Sequence, residues 1–108
     1  MKVKNRVKKQ DDFQNLIRRG KELRSPEFKI YYSDNNLGYI RIGVSIPTKT
    51  GKAIIRNKVK RQIKAMLSSF IDLSKSLDIV VIPRKAFAID NFENNRLSLK
   101  KLIEAIGE

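Results

Sequence analysis

Apolar side chains recur at every second position over residues 28–33 and again over residues 40–46. This period of two is typical of strands that bury one face. Residues 79–82 form a continuous, β-branched apolar run, which is typical of a strand buried on both faces. Residues 21–24, just before Pro26, are a candidate for a further short edge strand.

Helical signals occupy the segments between these strands. The first helix is predicted to start at Asp11-Asp12, whose charges suit a helix N-terminus, and to stop at Gly20. The second follows a loop at residues 48–51 and extends to about Phe70. The third begins at the Asp-x-x-Glu pattern of residues 90–93. The order α-β-β-(β)-α-β-α predicts an α+β domain with helices on a mixed sheet and a crossover, right-handed by default.

The second helix has two chemically different sides. Its apolar positions fall within an arc of roughly 120° and predict the buried side; they are Ile55, Val59, Ile63, Met66, Leu67 and Phe70. The opposite side carries Asn57, Lys60, Arg61 and Lys64, and Arg56 lies at the edge between the two sides.

Charge is the outstanding feature of the composition. The 108 residues include 24 Lys and Arg against 11 Asp and Glu, which gives a net charge of +13. Between Asn35 and Ile71 there are eight basic residues and no acidic one. Like charges at helical spacing repel by a few tenths of a kcal/mol, so this helix is interpreted as the binding surface for a polyanion.

Several kinds of chemistry are excluded by composition. The chain has no His and no Cys, and therefore no imidazole base, thiol nucleophile or zinc cluster of those residues. Gly51-Lys52 lacks the spacing of a phosphate-binding loop, and Asp11-Asp12 is interpreted as a helix cap. No apolar run approaches a membrane span and no export signal is recognised, so we expect one cytoplasmic domain over residues 1–108, with a basic tail over residues 1–10.

Aromatic residues suggest a second surface. Tyr31 is expected on the opposite strand face from Ile30, where Phe13 and Ile17 of the first helix can join it in a half-exposed groove. Aromatic side chains beside basic ones suit single-stranded nucleic acid, because bases stack on them. The same pattern is equally compatible with Phe13 and Tyr31 as ordinary core residues.

Residues 51–64 resemble the signature of one protein family. They follow the pattern Gly-x-Ala-(apolar)-x-Arg-Asn-(Arg/Lys)-x-Lys-Arg, with a further basic position after two residues. Supporting similarities lie in residues 5–9, 12–13 with Gly20, 41–46 and 79–84. In these segments the chain resembles the bacterial ribonuclease P protein component, and the resemblance spans nearly all of the chain in order.

The resemblance implies a fold and a function. The fold would be an α-β-β-β-α-β-α sandwich with a mixed sheet and a left-handed crossover, as in the ribosomal protein S5 domain 2-like folds. The function would be that of the protein subunit of a ribonucleoprotein that removes the 5′ leader from precursor tRNA. In that family the RNA subunit is the catalyst and uses magnesium, so neither a catalytic residue nor a bound cofactor is expected in this chain. The expected partners are the catalytic RNA and precursor tRNA, with no DNA and no membrane.

The resemblance also places residue roles. The positions implied to face the catalytic RNA are Arg56, Asn57, Lys58, Lys60, Arg61 and Lys64, and the basic Lys49 and Lys52 just before the helix are assigned with them. The positions implied for the leader groove are Phe13, Ile17 and Tyr31, with Lys29 beside them.

At several of these positions the chain departs from the family pattern. Lys58 and Lys64 stand where Arg is usual, so bidentate phosphate contacts are weakened there. Ile17 replaces a common aromatic residue, Lys29 replaces an often apolar one, and Thr48 stands where Lys is frequent. Because of Lys29, the groove is expected to be more electrostatic than in relatives.

Two other functions fit parts of the sequence. A non-catalytic RNA-binding module, such as a ribosomal protein or an RNA chaperone, has the same composition. A helix-turn-helix DNA binder is opposed by the strand content and by the lack of a short helix before the basic one.

Overall fold

A computed structural model describes the backbone of residues 10–106 and the side chains of residues 13–106. The basic tail predicted over residues 1–10 lies outside this part of the chain, apart from its last residue. Within residues 10–106, no helix is both long and apolar enough to cross a membrane.

The described residues form three α-helices and four strands. In chain order these are α1 (Gln10–Arg19), β1 (Lys21–Arg24), β2 (Phe28–Asp34), β3 (Arg41–Val44), α2 (Ala53–Phe70), β4 (Leu77–Pro83) and α3 (Phe92–Glu104). A short 3-10 turn, Thr48–Thr50, precedes α2. The predicted order α-β-β-β-α-β-α is confirmed, including the short edge strand β1.

The four strands make one mixed sheet in the order β1-β2-β4-β3. The pairs β1–β2 and β2–β4 are antiparallel, whereas β3 and β4 are parallel and are joined through α2. In the middle of the sheet, Ile30 lies opposite both Leu23 and Val81. The crossover predicted from the succession of strand, long helix and buried strand is thus present.

One face of the sheet carries the main core, because α2 and α3 cover it. Alternate strand residues point into this core, and they meet the apolar side of α2 and one stripe of α3. The buried members are Phe28, Ile30, Ile42, Ile79, Val81, Val59, Ile63, Met66, Leu67, Leu99 and Leu102. Every α2 residue in this set was expected on the buried side.

The opposite face of the sheet is covered in part by α1. Leu16 and Val80 are buried there. Phe13 packs directly on the backbone of Gly43, and a Cβ atom at Gly43 would lie only 2.4 Å from the Cζ atom of Phe13. The lack of a side chain at Gly43 therefore permits α1 to approach the sheet.

Two predicted boundaries were wrong. Strand β3 is shorter than residues 40–46. Strand β4 ends at Pro83, and the N–H of the next residue, Arg84, bonds to the oxygen of Glu27. Helix α3 starts at Phe92, with no side-chain cap on its N-terminus. Asp90 is not the cap because the N–H of Asn91 bonds to the oxygen of Ala88 and extends the preceding turn by one residue.

A polar cluster joins the start of β4 to β3. Arg41 donates to both carboxylate oxygens of Asp78, at 2.8 and 2.6 Å, and Asn35 donates to the same carboxylate at 2.9 Å. Partial burial acts to raise the pKa of Asp78, but these hydrogen bonds and the charge of Arg41 outweigh it and lower the pKa. The cluster favours the ionised carboxylate and so stabilises the parallel β3–β4 pair.

We predict that Asp78→Ala lowers the free energy of unfolding at neutral pH by about 2 kcal/mol, because Arg41 loses its partner in a partly buried site. A lowered pKa in the folded protein stabilises it above the unfolded value of about 3.9, and this stability is lost as the pH falls through the folded pKa. Urea unfolding of both proteins at several pH values measures the difference, which should shrink in acid. Glu93→Ala, which breaks the exposed pair with Arg96, is the control and should leave stability unchanged. A pH-independent difference would contradict the prediction.

Candidate nucleic-acid interface

Helix α2 is set by the turn before it and by its buried side. Gly51 has φ +151°, a conformation that residues with a side chain rarely adopt, and the helix begins two residues later. Val59 and Ile63 are 1% and 0% exposed. Ile55, predicted for the buried side, is 38% exposed and packs beside Gly51 instead, since α2 has not yet reached the core at this point.

With its apolar side buried, α2 turns its basic side to solvent. Of the residues predicted to face the catalytic RNA, the exposed ones are Lys49, Lys52, Asn57, Lys58, Lys60 and Arg61, whereas Arg56 and Lys64 are half-buried. The ion pairs formed within residues 13–106 all lie on other elements: Arg24–Glu22, Arg41–Asp78, Arg96–Glu93 and Lys100–Glu104. We call the exposed basic side of α2, formed by Asn57, Lys58, Lys60 and Arg61, the cationic face.

Part of this face opens onto the edge of the sheet. Arg56, Asn57 and Lys60 line a depression of about 260 Å³ between α2 and β3, whose apolar wall includes Val44 and Ile46. The Nε atom of Arg56 is buried and has no hydrogen-bond partner among the described residues. The depression therefore brings together the charged side chains of Arg56 and Lys60 and the amide of Asn57. The Nε–H group of Arg56 still has a hydrogen bond to donate.

The N-terminus of α2 adds to the positive potential. Its first turn has no acidic residue, and no side chain caps it. The free N–H groups of a first turn and the helix dipole both favour a nearby anion. Lys52, in the N-cap position, places a further charge at this end.

The four residues predicted for the groove lie on the α1 side of the sheet. Tyr31, Val80 and Gly43 stand side by side in the strand register, and Phe13 covers Gly43. Ile17, one turn further along α1, is 39% exposed. The ammonium of Lys29 is 5.5 Å from the centre of the Tyr31 ring, a distance at which cation and ring attract.

An open cavity of about 820 Å³ continues this surface past the ends of β2 and β4. Arg24, Lys29 and Ile82 contribute to it from the strands, and the remaining charges come from the segments around residues 49 and 84–85. Its basic lining residues are Arg24, Lys29, Lys49, Arg84 and Lys85, and none of the acidic side chains within residues 13–106 lines it. We call this cavity, together with Phe13, Ile17 and Tyr31, the groove.

Of the five basic residues that line the cavity, Lys29 was predicted for the groove. No role was predicted for Arg24, Arg84 and Lys85. Arg24 lies opposite Lys29 in the β1–β2 register, a relation that appears only once the strands are paired. Arg84 and Lys85 follow directly after a buried strand, a sequence signal that would have placed them at a sheet end. Lys49, predicted to face the catalytic RNA, also lines the groove.

Hydrogen bonds hold Arg84 and Arg24 in place. The Nη1 atom of Arg84 donates to the backbone oxygen of Ser25 at 2.8 Å. A hydrogen bond from Arg24 lowers the pKa of the Glu22 carboxyl, against the opposing effect of desolvation. The Arg84 guanidinium is thus tied to the backbone at the rim of the groove, which reduces the entropy lost when an anion binds, whereas the Arg24 side chain is 59% exposed.

The two surfaces are suited to binding phosphates and bases. The chain has no His or Cys. Within residues 13–106 there is no group of three or more acidic side chains that could hold a metal ion. What the arrangement offers is ammonium and guanidinium groups for phosphates, and half-buried rings for bases.

The fold and these surfaces define a small α+β protein that carries a cationic helix beside an aromatic, basic groove. The family model Ribonuclease P matches residues 1–107. The chain is 41% identical over 105 residues to the ribonuclease P protein component of Mesoplasma florum, covering 95% of this chain and 96% of the relative. It is 36% identical to that of Bacillus velezensis, covering 94% and 89%.

Solved structures agree with this assignment. The RNase P protein from Thermotoga maritima superposes with a TM-score of 0.84 at 32% identity, covering 95% of this chain and 98% of that one. The RNase P protein of Staphylococcus aureus gives a TM-score of 0.81 at 30% identity, covering 93% of both chains. The chain belongs to the ribonuclease P protein family.

Proposed function

We propose that this chain is the protein subunit of a ribonuclease P ribonucleoprotein, which docks its cationic face on the catalytic RNA and holds the 5′ leader of precursor tRNA in its groove. The observation that carries the proposal is the exposure of Lys58, Lys60 and Arg61 on a helix without acidic residues. A surface of that kind gains free energy by releasing counterions from a polyanion. The compartment would be the cytoplasm, where bacterial transcripts are processed.

The proposed mechanism is tethering. Phosphates of the catalytic RNA are neutralised by Lys60, Arg61 and their neighbours, while the depression lined by Arg56 and Asn57 accepts a further phosphate or hydroxyl oxygen. This fixes the orientation of the groove relative to the RNA. Positioning alone can lower a reaction barrier substantially, because it removes translational and rotational freedom before the chemical step.

The groove would take the leader as an extended single strand. Tyr31 and Phe13 supply ring surface for a base, and Lys29, Arg24 and Arg84 supply charges along the phosphate path. Stacking tolerates any base, so this surface would accept leaders of many sequences.

Bond cleavage is assigned to the RNA subunit. The donor set of the described residues does not fit a magnesium site, as no three carboxylates converge. Magnesium would therefore be held by RNA phosphates, and the protein's contribution is to bind, orient and neutralise charge.

A cleavage assay tests the proposed function. The protein is added to its cognate catalytic RNA and precursor tRNA at low magnesium, where the RNA alone is slow. Stimulated cleavage at the mature 5′ end supports the proposal, and cleavage by the protein without the RNA would contradict it. Binding to both RNAs without stimulation would instead support a general RNA-binding module.

We predict that Lys85→Ala weakens binding of a single-stranded leader RNA and lowers the slope of log affinity against log salt by about 0.7, the contribution of one phosphate contact. A salt titration by fluorescence anisotropy measures it. Lys75→Ala is the matched control, because Lys75 precedes β4 whereas Lys85 follows it, and the two lie at opposite ends of the strand. Equal slopes for the two variants would remove Lys85 from the groove.

A further inference from the structure

Residues 84–91, called here the cationic arm, connect β4 to α3 and carry Arg84 and Lys85 into the groove. Inside the arm, the N–H of Phe87 bonds to the oxygen of Arg84, and the N–H of Asn91 bonds to that of Ala88, each at 3.0 Å. The Phe87 ring meets the Phe28 ring edge-on, with centroids 5.6 Å apart. The arm is thus a folded segment with its own turns.

Two side-chain amides hold the arm from different helices. The Nε2 atom of Gln62 on α2 donates to the oxygen of Ile89 at 3.1 Å. The Nδ2 atom of Asn95 on α3 donates to the oxygen of Ala88 at 2.7 Å, and Asn95 is 0% exposed. The neighbouring carbonyl groups of Ala88 and Ile89 therefore each accept a hydrogen bond from a different helix.

Core stability alone does not account for these amides. The Oε1 atom of Gln62 and the Oδ1 atom of Asn95 are buried and have no hydrogen-bond partner among the described residues. A buried acceptor without a donor is unfavourable. What the two amides hold is the backbone three to five residues after Arg84 and Lys85, two of the five basic residues that line the groove's cavity.

Gln62 also lies next to the cationic face. It follows Arg61 directly in α2, so the helix presents Arg61 to solvent and Gln62 to the arm from adjacent positions. A ligand that immobilises α2 restrains one of the two anchors of the arm. A restrained arm then loses less entropy when it binds a second ligand.

We propose that Gln62 and Asn95 are positioning residues that hold the cationic arm over the groove, and that Gln62 couples docking of α2 on the catalytic RNA to binding of the leader. The coupling rests on the proposed function. By linkage it is reciprocal: a bound leader strengthens docking by the same factor.

The test uses Gln62→Met and Asn95→Leu, which keep the side-chain size and remove both the donor and the unpaired oxygen. Ser69→Ala is the control on α2, because its hydroxyl bonds only within its own turn, to the oxygen of Met66 at 2.6 Å. Affinity is measured for an unstructured RNA of about eight nucleotides, a length within the range that one such groove covers. Both variants should bind it roughly fivefold more weakly than wild type, and the control should not.

Two further readouts separate positioning from a loss of fold. Affinity for the catalytic RNA should stay at the wild-type value in all three variants. Hydrogen exchange at the amides of Phe87 and Asn91 should slow when the catalytic RNA binds to wild type or Ser69→Ala, and this slowing should be absent in Gln62→Met. A merely structural role would change exchange throughout α2 and α3.

The results distinguish this inference from the proposed function. Unchanged affinity for the short RNA in both variants overturns the positioning role. Slowed exchange of the arm in RNA-bound Gln62→Met overturns the coupling. If the wild-type protein binds neither RNA, the proposed function itself fails. If Asn95→Leu does not fold, Gln62→Met alone tests the positioning role, because Gln62 is only half-buried.

Discussion

Replacing Lys60 and Arg61 together with Ala is expected to weaken binding of the catalytic RNA roughly 60-fold at 0.1 M salt, if each residue neutralises one phosphate. The log–log salt slope should fall by about 1.8, since each phosphate contact contributes about 0.9. Both side chains are exposed, and neither forms an ion pair with another of residues 13–106. Thermal stability should therefore not fall, because the variant also relieves repulsion along α2.

The control for this double variant removes the same charge from another helix. Lys100→Ala with Lys101→Ala lowers the net charge equally, but on α3. If α2 is the docking surface, the α3 variant keeps most of the slope, whereas a purely non-specific attraction would lower both slopes alike. A salt titration of all three proteins against the same RNA decides between these outcomes.

The second large effect is expected from Gly43→Val. A Cβ atom at this position would lie 2.4 and 2.6 Å from two ring carbons of Phe13, so the ring has to leave its site on the sheet. Overpacking of this kind costs about 1–3 kcal/mol of folding free energy. Loss of one stacking ring would remove about 1–3 kcal/mol of binding to a single-stranded leader.

A double-mutant cycle with Phe13→Ala isolates the cause. Phe13→Ala gives the new side chain room, so the double variant should be more stable than the sum of the single effects predicts. Leader affinity should remain low in all three variants, because each lacks the ring in the groove. Recovery of leader affinity in the double variant would show that Phe13 takes no part in binding.

The sequence predicted the elements and one of the two surfaces well. The four-, four- and three-residue spacing from Ile55 to Met66 places one side of α2 in the core, and Val59, Ile63 and Met66 are buried as expected. The basic residues lie on the opposite side of the helix and therefore face solvent once the apolar side is buried. Period and charge, both local properties, were therefore sufficient for the cationic face, although its contact with RNA stays a prediction.

The groove depended on contacts between distant parts of the chain. Arg24 joins Lys29 through the β1–β2 register, and Arg84 reaches the same cavity by a hydrogen bond to Ser25, which is 59 residues away. Lys49, in the turn at residues 48–50, lines this cavity as well. None of these relations follows from a local pattern.

The same division holds for the core and for the arm. Hydrophobic periodicity, which acts over one or two turns, determined from the sequence alone that α2 has a buried and a cationic side and that strands and helices follow in this order. Only the tertiary structure decided that Phe13 packs on Gly43 and that Gln62 and Asn95 both donate hydrogen bonds to the cationic arm. Such contacts depend on strand register and helix placement, which are set by the packing of the whole domain.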